Sequence, residues 1–215
     1  MEEESYPGPF FSVIIATYNR ASLITRALES VIAQTGKDWE VIIEDDESTD
    51  NTYLRILPYL KAHSNIKYKR QIHSGEAHTK NAGIWKAKGR FITFLDSDDE
   101  FDPRHLEFRK ATLNQNPSVQ FLFGGVTVIG NQYVPDRFNY ENKINLKDCV
   151  IGGTFFIDRD IAIYLNGFKD ISLGTDADLF DRAKEAGVIM QGVSQPTYIY
   201  HHETLNSITN NLLLR

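Results

Sequence analysis

Phe91-Ile92-Thr93-Phe94-Leu95-Asp96-Ser97-Asp98-Asp99 is the stretch on which the reading of this chain turns. Its first five residues, uncharged and mostly aromatic or branched, have the composition of a strand buried on both faces of a sheet. Three carboxylates follow at once. Unpaired burial of that much charge is costly, so the cluster is expected at the strand's mouth, in solvent or on a cation. In open α/β sheets, the carboxyl ends of strands are where ligands bind. Asp96 and Asp98, two apart in an extended segment, point the same way and can grip one divalent ion, or one ion and one hydroxyl. The plainer reading is an acidic loop capping a helix that starts near Pro103.

Upstream, residues 11–16 (FSVIIA) form another buried strand, ending in Thr17-Tyr18-Asn19-Arg20 at the same kind of strand mouth. Ile24, Ala27, Leu28, Val31 and Ile32 then recur on one face of an amphipathic helix, which Gln34-Thr35-Gly36 stops. Val41-Ile42-Ile43 is a strand whose exit is crowded by Glu44-Asp45-Asp46-Glu47-Ser48-Thr49-Asp50. A helix follows from Asn51-Thr52, and Pro58 should kink or shorten it. A shorter strand is expected over 66–70 and a turn at Gly75. A helix carrying Lys80 and Asn81 then runs to Gly89. Strand and helix alternating in this order argue for a parallel sheet with right-handed crossovers.

Downstream, Asp102-Pro103 is a good helix start, with proline at the first helical position, and Pro117 forbids continuation. Strands are expected over 119–123, 126–129, 152–157 and 197–200, and a helix over 176–186 ending on Gly187. Residues 131–145 read as a polar meander without a legible shape. Residues 1–10 read as a loose leader, with one domain over 11–215: a nucleotide-binding half (11–99) and an acceptor-binding half (100–215).

The 215-residue chain, 41% hydrophobic and 24% charged, is long enough for one sizeable core. Its net charge of −6, with no basic stripe interleaved with aromatics, speaks against nucleic acid as a partner. A single cysteine, Cys149, allows no internal disulfide, and no signal peptide is recognisable at the start. A cytoplasmic setting fits, and peripheral association with the inner face of a membrane stays open, but no stretch is apolar enough to span one.

Acid thus stands at three strand or helix ends: Asp45 with Asp46, Asp96 with Asp98, and Asp176. Brought side by side, these groups would converge on one crevice, and a metal with a polyanionic ligand is the simplest way to neutralise them. The residues Val13-Ile14-Ile15-Ala16-Thr17-Tyr18-Asn19-Arg20, Asp45-Asp46-Glu47-Ser48-Thr49-Asp50, Asn81-Ala82-Gly83-Ile84, Phe94-Leu95-Asp96-Ser97-Asp98-Asp99 and Gly174-Thr175-Asp176-Ala177-Asp178 occur in that order. In this the chain resembles family 2 glycosyltransferases of the GT-A fold, inverting enzymes that move a sugar from a nucleotide diphosphate to an acceptor hydroxyl.

The resemblance implies a Rossmann-like α/β fold: a mostly parallel central sheet flanked by helices, with a small antiparallel subregion. It implies that Thr17, Tyr18, Arg20 and Asp45 or Asp46 hold the nucleobase and ribose. Lys80, Asn81, Asp96 and Ser97 would complete the donor site. Asp98 would bind Mn²⁺ or Mg²⁺ across the two phosphates, joined by His201 or His202, and Asp176 would be the general base. An aspartate in a first helical turn is otherwise a good cap. The implied partners are a nucleotide-diphosphate sugar, a UDP-sugar in the first instance, and a glycan or lipid-linked acceptor in bacterial surface or capsular polysaccharide synthesis. Because the chain ends soon after the last motif, the membrane-associating tail of longer relatives is expected to be missing.

Glu47 stands where the family usually has glycine, Lys80 replaces an arginine, and Thr175 replaces an acid; these departures bear on donor and acceptor recognition. Two other readings are a catalytically weak module of the same fold that only binds a nucleotide sugar, and a sugar-phosphate nucleotidyltransferase. The latter's glycine-rich phosphate loop is not matched by Thr17-Tyr18-Asn19-Arg20. A haloacid dehalogenase-type phosphatase would need an aspartate at the end of the first strand, and none stands there.

Overall fold

The structure, a computed structural model, describes residues 6–139 and 141–203. The first half alternates strictly: β1 (Phe11–Thr17), α1 (Ile24–Ile32), β2 (Trp39–Asp45), α2 (Thr52–Ala62), β3 (Ile66–Arg70), α3 (Glu76–Lys86) and β4 (Phe91–Phe94). Then come β5 (Glu100–Phe101), α4 (His105–Gln115), β6 (Phe121–Phe123), β7 (Val126–Gly130), β8 (Tyr133–Pro135) and β9 (Lys143–Asn145). Two 3₁₀ turns (Leu146–Asp148 and Gly152–Thr154) lead to β10 (Phe156–Asp158), α5 (Arg159–Tyr164), α6 (Thr175–Glu185), β11 (Met190–Gly192) and β12 (Tyr198–His202).

Seven strands form the central sheet in the order β11-β6-β10-β4-β1-β2-β3. Only β10 runs against the rest, pairing antiparallel with both β4 and β6. Side chains alternate across β1 and sort the core into two layers. Val13 and Ile15 pack with Ile24 and Leu28 of α1, Ile56 of α2 and Leu106 of α4. Ile14 faces the other way, with Ile84 of α3, Ala162 of α5 and Leu179 of α6. Both faces are therefore covered, which is why these strands read as continuous apolar runs. Beside it lie a smaller mixed sheet, β5-β12-β7, in which β12 runs antiparallel to β5 and parallel to β7, and the antiparallel β8-β9 hairpin.

Chain order reverses between β1 and β4: one crossover series proceeds from β1 through β2 to β3, and β4 returns to the other side of β1. A crevice outside the carboxyl ends of β1 and β4 is the geometric consequence.

Several boundaries differ from the sequence reading. Pro58 lies inside α2, which runs on to Ala62; the missing N–H costs one bond and does not end the helix. Pro103 and Arg104 form a turn, and α4 begins only at His105. The stretch read as one strand over 152–157 is a 3₁₀ turn followed by β10. From Tyr6 onward the supposed leader is tied down, with the Tyr6 hydroxyl donating to the Gly89 carbonyl and the Phe10 amide to Asp38. Residues 1–5 lie outside the described residues.

Candidate active site

At that switch point lies a crevice of about 790 Å³. After β1 it takes Thr17, Tyr18 and Arg20; after β4, Asp96, Ser97 and Asp98. Asp46 enters from the end of β2, Glu76 and Lys80 from α3, and Asp176 from the start of α6. Most of the candidate residues are thus brought together from five places in the chain. Asp45, Asn81, His201 and His202 are not among its lining.

The β1 and β2 exits are locked to each other. Asn19, in the left-handed region at φ 52°, accepts from the Thr49 amide at 2.8 Å, while its own amide donates to Ser48 Oγ at 2.9 Å. Asp45 is buried beneath this junction, accepting from the Ser48 amide and the Tyr68 hydroxyl, each at 2.7 Å. Glu47 also sits at positive φ, 71°. That is the physical reason a glycine suits this position, and here a glutamate takes the conformation, accepting from the His73 amide.

Asp46 faces the crevice but holds its far wall. Its carboxylate accepts from Gln71 Nε2, from the Ser74 and Gly75 amides, and from His73 Nδ1 at 2.8 Å. Burial alone would raise its pKa, yet these donors from 71–75 and Thr79 hold it below the usual carboxylate range. The Tyr18 ring, 44% exposed, lies over His73 at 4.5 Å between centroids and offers a flat face to the crevice.

The centre is an ion-pair cluster around the buried Lys80. Lys80 Nζ lies 2.6 Å from Glu76 and 2.9 Å from Asp96, with the Phe168 ring beneath it at 5.5 Å. Although burial opposes its charge, Asp96, Glu76 and Asp176 together push its pKa well above normal, so it stays protonated. Lys80 therefore ties the β4 carboxylates to the α6 carboxylate.

Asp176 is partly buried, and its Oδ2 accepts from the Gly152 amide at 2.8 Å. It is not a cap, since no side chain caps α6, and Gly174, the residue just before the helix, is left-handed at φ 81°. Burial raises its pKa, Asp96 and Glu76 add to this, and Lys80 opposes it. Such a carboxylate is a stronger base than one in water.

Asp98 is pushed up by burial and by Asp96, with Arg20 and Arg26 acting against them. Arg26 itself donates to the Asp98 carbonyl. Asp99, by contrast, is fully buried, accepting from the Tyr198 hydroxyl at 2.6 Å and the His201 amide at 2.8 Å. Of the three acids, this one lies in the protein and not in solvent or on a cation; its two donors make that possible.

The remaining candidates have other engagements. Asn81 makes a two-way bond with the backbone of Phe168, accepting from its amide and donating to its carbonyl, each at 2.8 Å. His201 meets Glu100 at 2.9 Å through Nε2 and Glu203 at 3.0 Å through Nδ1. The Nδ1 of His202 lies 2.6 Å from the Asn131 carbonyl. Among the described residues, no group of three or more His, Cys, Asp or Glu side chains is gathered to hold a metal ion. Gly152, Glu76 and Tyr198 were missed by sequence reasoning; only Glu76, four residues before Lys80, carried a readable signal, the helical ion-pair spacing.

A doubly wound sheet with an acid-rich crevice at its switch point is the architecture of nucleotide-binding α/β enzymes. The family model described as glycosyl transferase family 2 matches residues 12–167, and the chain belongs to that family. Similar curated proteins include the Escherichia coli UDP-Glc:alpha-D-GlcNAc-diphosphoundecaprenol beta-1,3-glucosyltransferases WfaP and WfgD. WfaP is 44% identical over 75% of this chain and 63% of its own length, and WfgD 34% identical over 74% and 62%. The GalNAc(5)-diNAcBac-PP-undecaprenol beta-1,3-glucosyltransferase of Campylobacter jejuni is 32% identical over 80% of this chain and 59% of its own length. The chain thus spans about three fifths of the length of these relatives. In fold it is similar to S. aureus TarS 1-349 in complex with UDP-GlcNAc, with a TM-score of 0.78 at 22% identity, covering 92% of this chain and 60% of that one. It is also similar to the mannosyltransferase PcManGT from Pyrobaculum calidifontis in complex with GDP-Man and Mn²⁺, at TM-score 0.69 and 17% identity, covering 95% and 59%.

Proposed function

We propose that this chain is an inverting glycosyltransferase acting on a UDP-sugar, with a lipid-linked glycan acceptor in bacterial polysaccharide synthesis. The observation that carries the reading is the convergence of Asp98, Lys80 and Asp176 in one crevice. The lipid-linked acceptors of WfaP, WfgD and the Campylobacter enzyme support the same kind of acceptor here, which would place the protein at a membrane's inner face. No described helix is itself long and apolar enough to cross one.

In this account the nucleobase lies on Tyr18, against the loop that Asp46 holds, and Thr17 and Arg20 line the same end. Asp46 would exchange one of its present donors to accept from a ring N–H. Asp96 is oriented by Lys80 and faces the ribose or the donor sugar. The acceptor hydroxyl approaches Asp176, which takes its proton as that oxygen forms the new bond to the anomeric carbon. The bond to the diphosphate breaks on the opposite face, and UDP leaves with the electron pair. A base so placed contributes about 10² to 10⁴ in rate.

Mn²⁺ or Mg²⁺ fits the crevice at Asp98, a half-buried carboxylate beside Asp96 whose charge is incompletely offset. When bound there, the cation would neutralise the charge growing on the departing diphosphate. His201 or His202 would have to leave its present partner to join it.

The test is release of UDP from a panel of UDP-sugars with and without Mn²⁺, water standing in for the acceptor. Metal-dependent UDP release is expected; pyrophosphate in its place, or no release from any donor, would contradict the reading.

A further inference from the structure

Glu76 belongs to no recognised motif of this chain, yet its carboxylate is the most accessible part of the central charge cluster. It lies 2.6 Å from Lys80 Nζ, and its side chain is 42% exposed against 5% for Lys80 and 33% for Asp96. Lys80 Nζ is already engaged by Glu76 and Asp96 over the Phe168 ring, and its side chain is only 5% exposed. Glu76 lines the same crevice as Asp96, Asp98 and Asp176, and its charge acts on Asp176. Counted together, Glu76, Asp96 and Asp176 carry three negative charges against the one positive charge of Lys80. The other lining cation, Arg20, lies at the β1 exit and acts on Asp98.

We propose that Glu76 is a specificity-determining residue that restricts the transferred sugar to neutral hexoses and excludes hexuronates. This rests on the donor reading above and adds to it the class of sugar. Ionised carboxylates accept hydrogen bonds and donate none, so Glu76 suits the hydroxyls of a neutral sugar. A hexuronate brings a second acceptor-only anion to a site already negative, where Lys80 and Arg20, the Lys and Arg side chains lining the crevice among the described residues, both face carboxylates already. At about 6 Å and an effective dielectric near 20, one such repulsion amounts to roughly a hundredfold in affinity.

The experiment measures binding of UDP, UDP-glucose and UDP-glucuronic acid by calorimetry in the presence of Mn²⁺, for the wild type, Glu76→Gln and Glu76→Lys. Glu76 sits in the exposed first turn of α3, and Glu76→Gln keeps its shape and its ability to accept from Lys80. Wild type should bind UDP-glucose at least ~30-fold more tightly than UDP-glucuronic acid, a gap that Glu76→Gln narrows to within ~5-fold and Glu76→Lys closes or inverts, while UDP affinity stays within ~3-fold throughout. Equal affinity of the wild type for the two sugars, or a gap that neither substitution alters, overturns the proposal and leaves the donor reading intact. Failure to bind UDP or either UDP-sugar overturns both.

Discussion

Replacing Gly152 by alanine should separate donor binding from transfer. A Cβ at this position would stand 2.5 Å from Asp176 Oδ1, 2.7 Å from its Cγ and 2.9 Å from Oδ2. The backbone has little room to retreat, because the next residue, Gly153, presses on the ring of Tyr198, where a Cβ would come within 2.2 Å of Cζ. The carboxylate must therefore give way, by at least ~0.5 Å if ordinary contact distances are restored. Since a displacement of about 1 Å can cost ~10²-fold when a reacting group must be aligned, the rate of UDP-sugar hydrolysis should fall by about that factor. Gly152 does not line the crevice, so UDP affinity by calorimetry should stay within ~3-fold of wild type. Overpacking of about 1–3 kcal/mol should lower Tm by roughly 2–10 °C. Gly187→Ala supplies the control. At φ 74° with nothing within 4 Å, it should lose about 1–2 kcal/mol from backbone strain while turnover is kept. If Gly152→Ala turns over like wild type, or loses UDP binding in step with turnover, the placement of Asp176 as base is wrong.

Asp176→Asn should reduce turnover by ~10²–10⁴-fold with UDP affinity little changed, read from parallel kinetics and calorimetry; a variant as active as wild type would remove the residue from the mechanism. Because Asp176 must be ionised to accept a proton and burial raises its pKa, the acid limb of kcat/KM should lie above the ordinary aspartate value of 3.8 and vanish in that variant. Asp98, Asp99 and Asp176 hold protons in the folded chain at pH values where the unfolded chain has released them. Together they should make Tm rise as pH is lowered through the window above 3.8, a trend that thermal melts of Asp176→Asn should weaken. Mn²⁺ should raise Tm near neutral pH, a shift abolished by chelation and by Asp98→Ala; persistence in that variant would place the cation elsewhere.

The half of the fold built from strict alternation was legible because each of β1, β2 and β4 is buried on both faces and each crossover helix carries one apolar stripe. Strand ends could be read for the same reason: Thr17, Asp46, Asp96 and Asp98 are where apolar runs stop. Side-chain direction at those ends was not legible. Asp45 and Asp46 are adjacent and chemically alike, yet one turns under the loop to Ser48 and Tyr68 while the other faces the crevice. Asp99 reads like its neighbours and is buried, because Tyr198, about a hundred residues away, brings it a donor. The antiparallel β10, the short β11 and the β8-β9 hairpin have three residues each, too few for a period to register. Gly152 looked like flexible entry to a strand; its requirement for no side chain appears only once Asp176 is folded against it.

The most direct test of the central claim is a manganese anomalous map from crystals of this chain grown with UDP and Mn²⁺. The account predicts one peak within coordination distance of Asp98 and of the diphosphate, with the Asp176 carboxylate across the same crevice and the uracil on Tyr18. A peak remote from Asp98, or a diphosphate bound away from the crevice that Asp98 and Asp176 share, would contradict it.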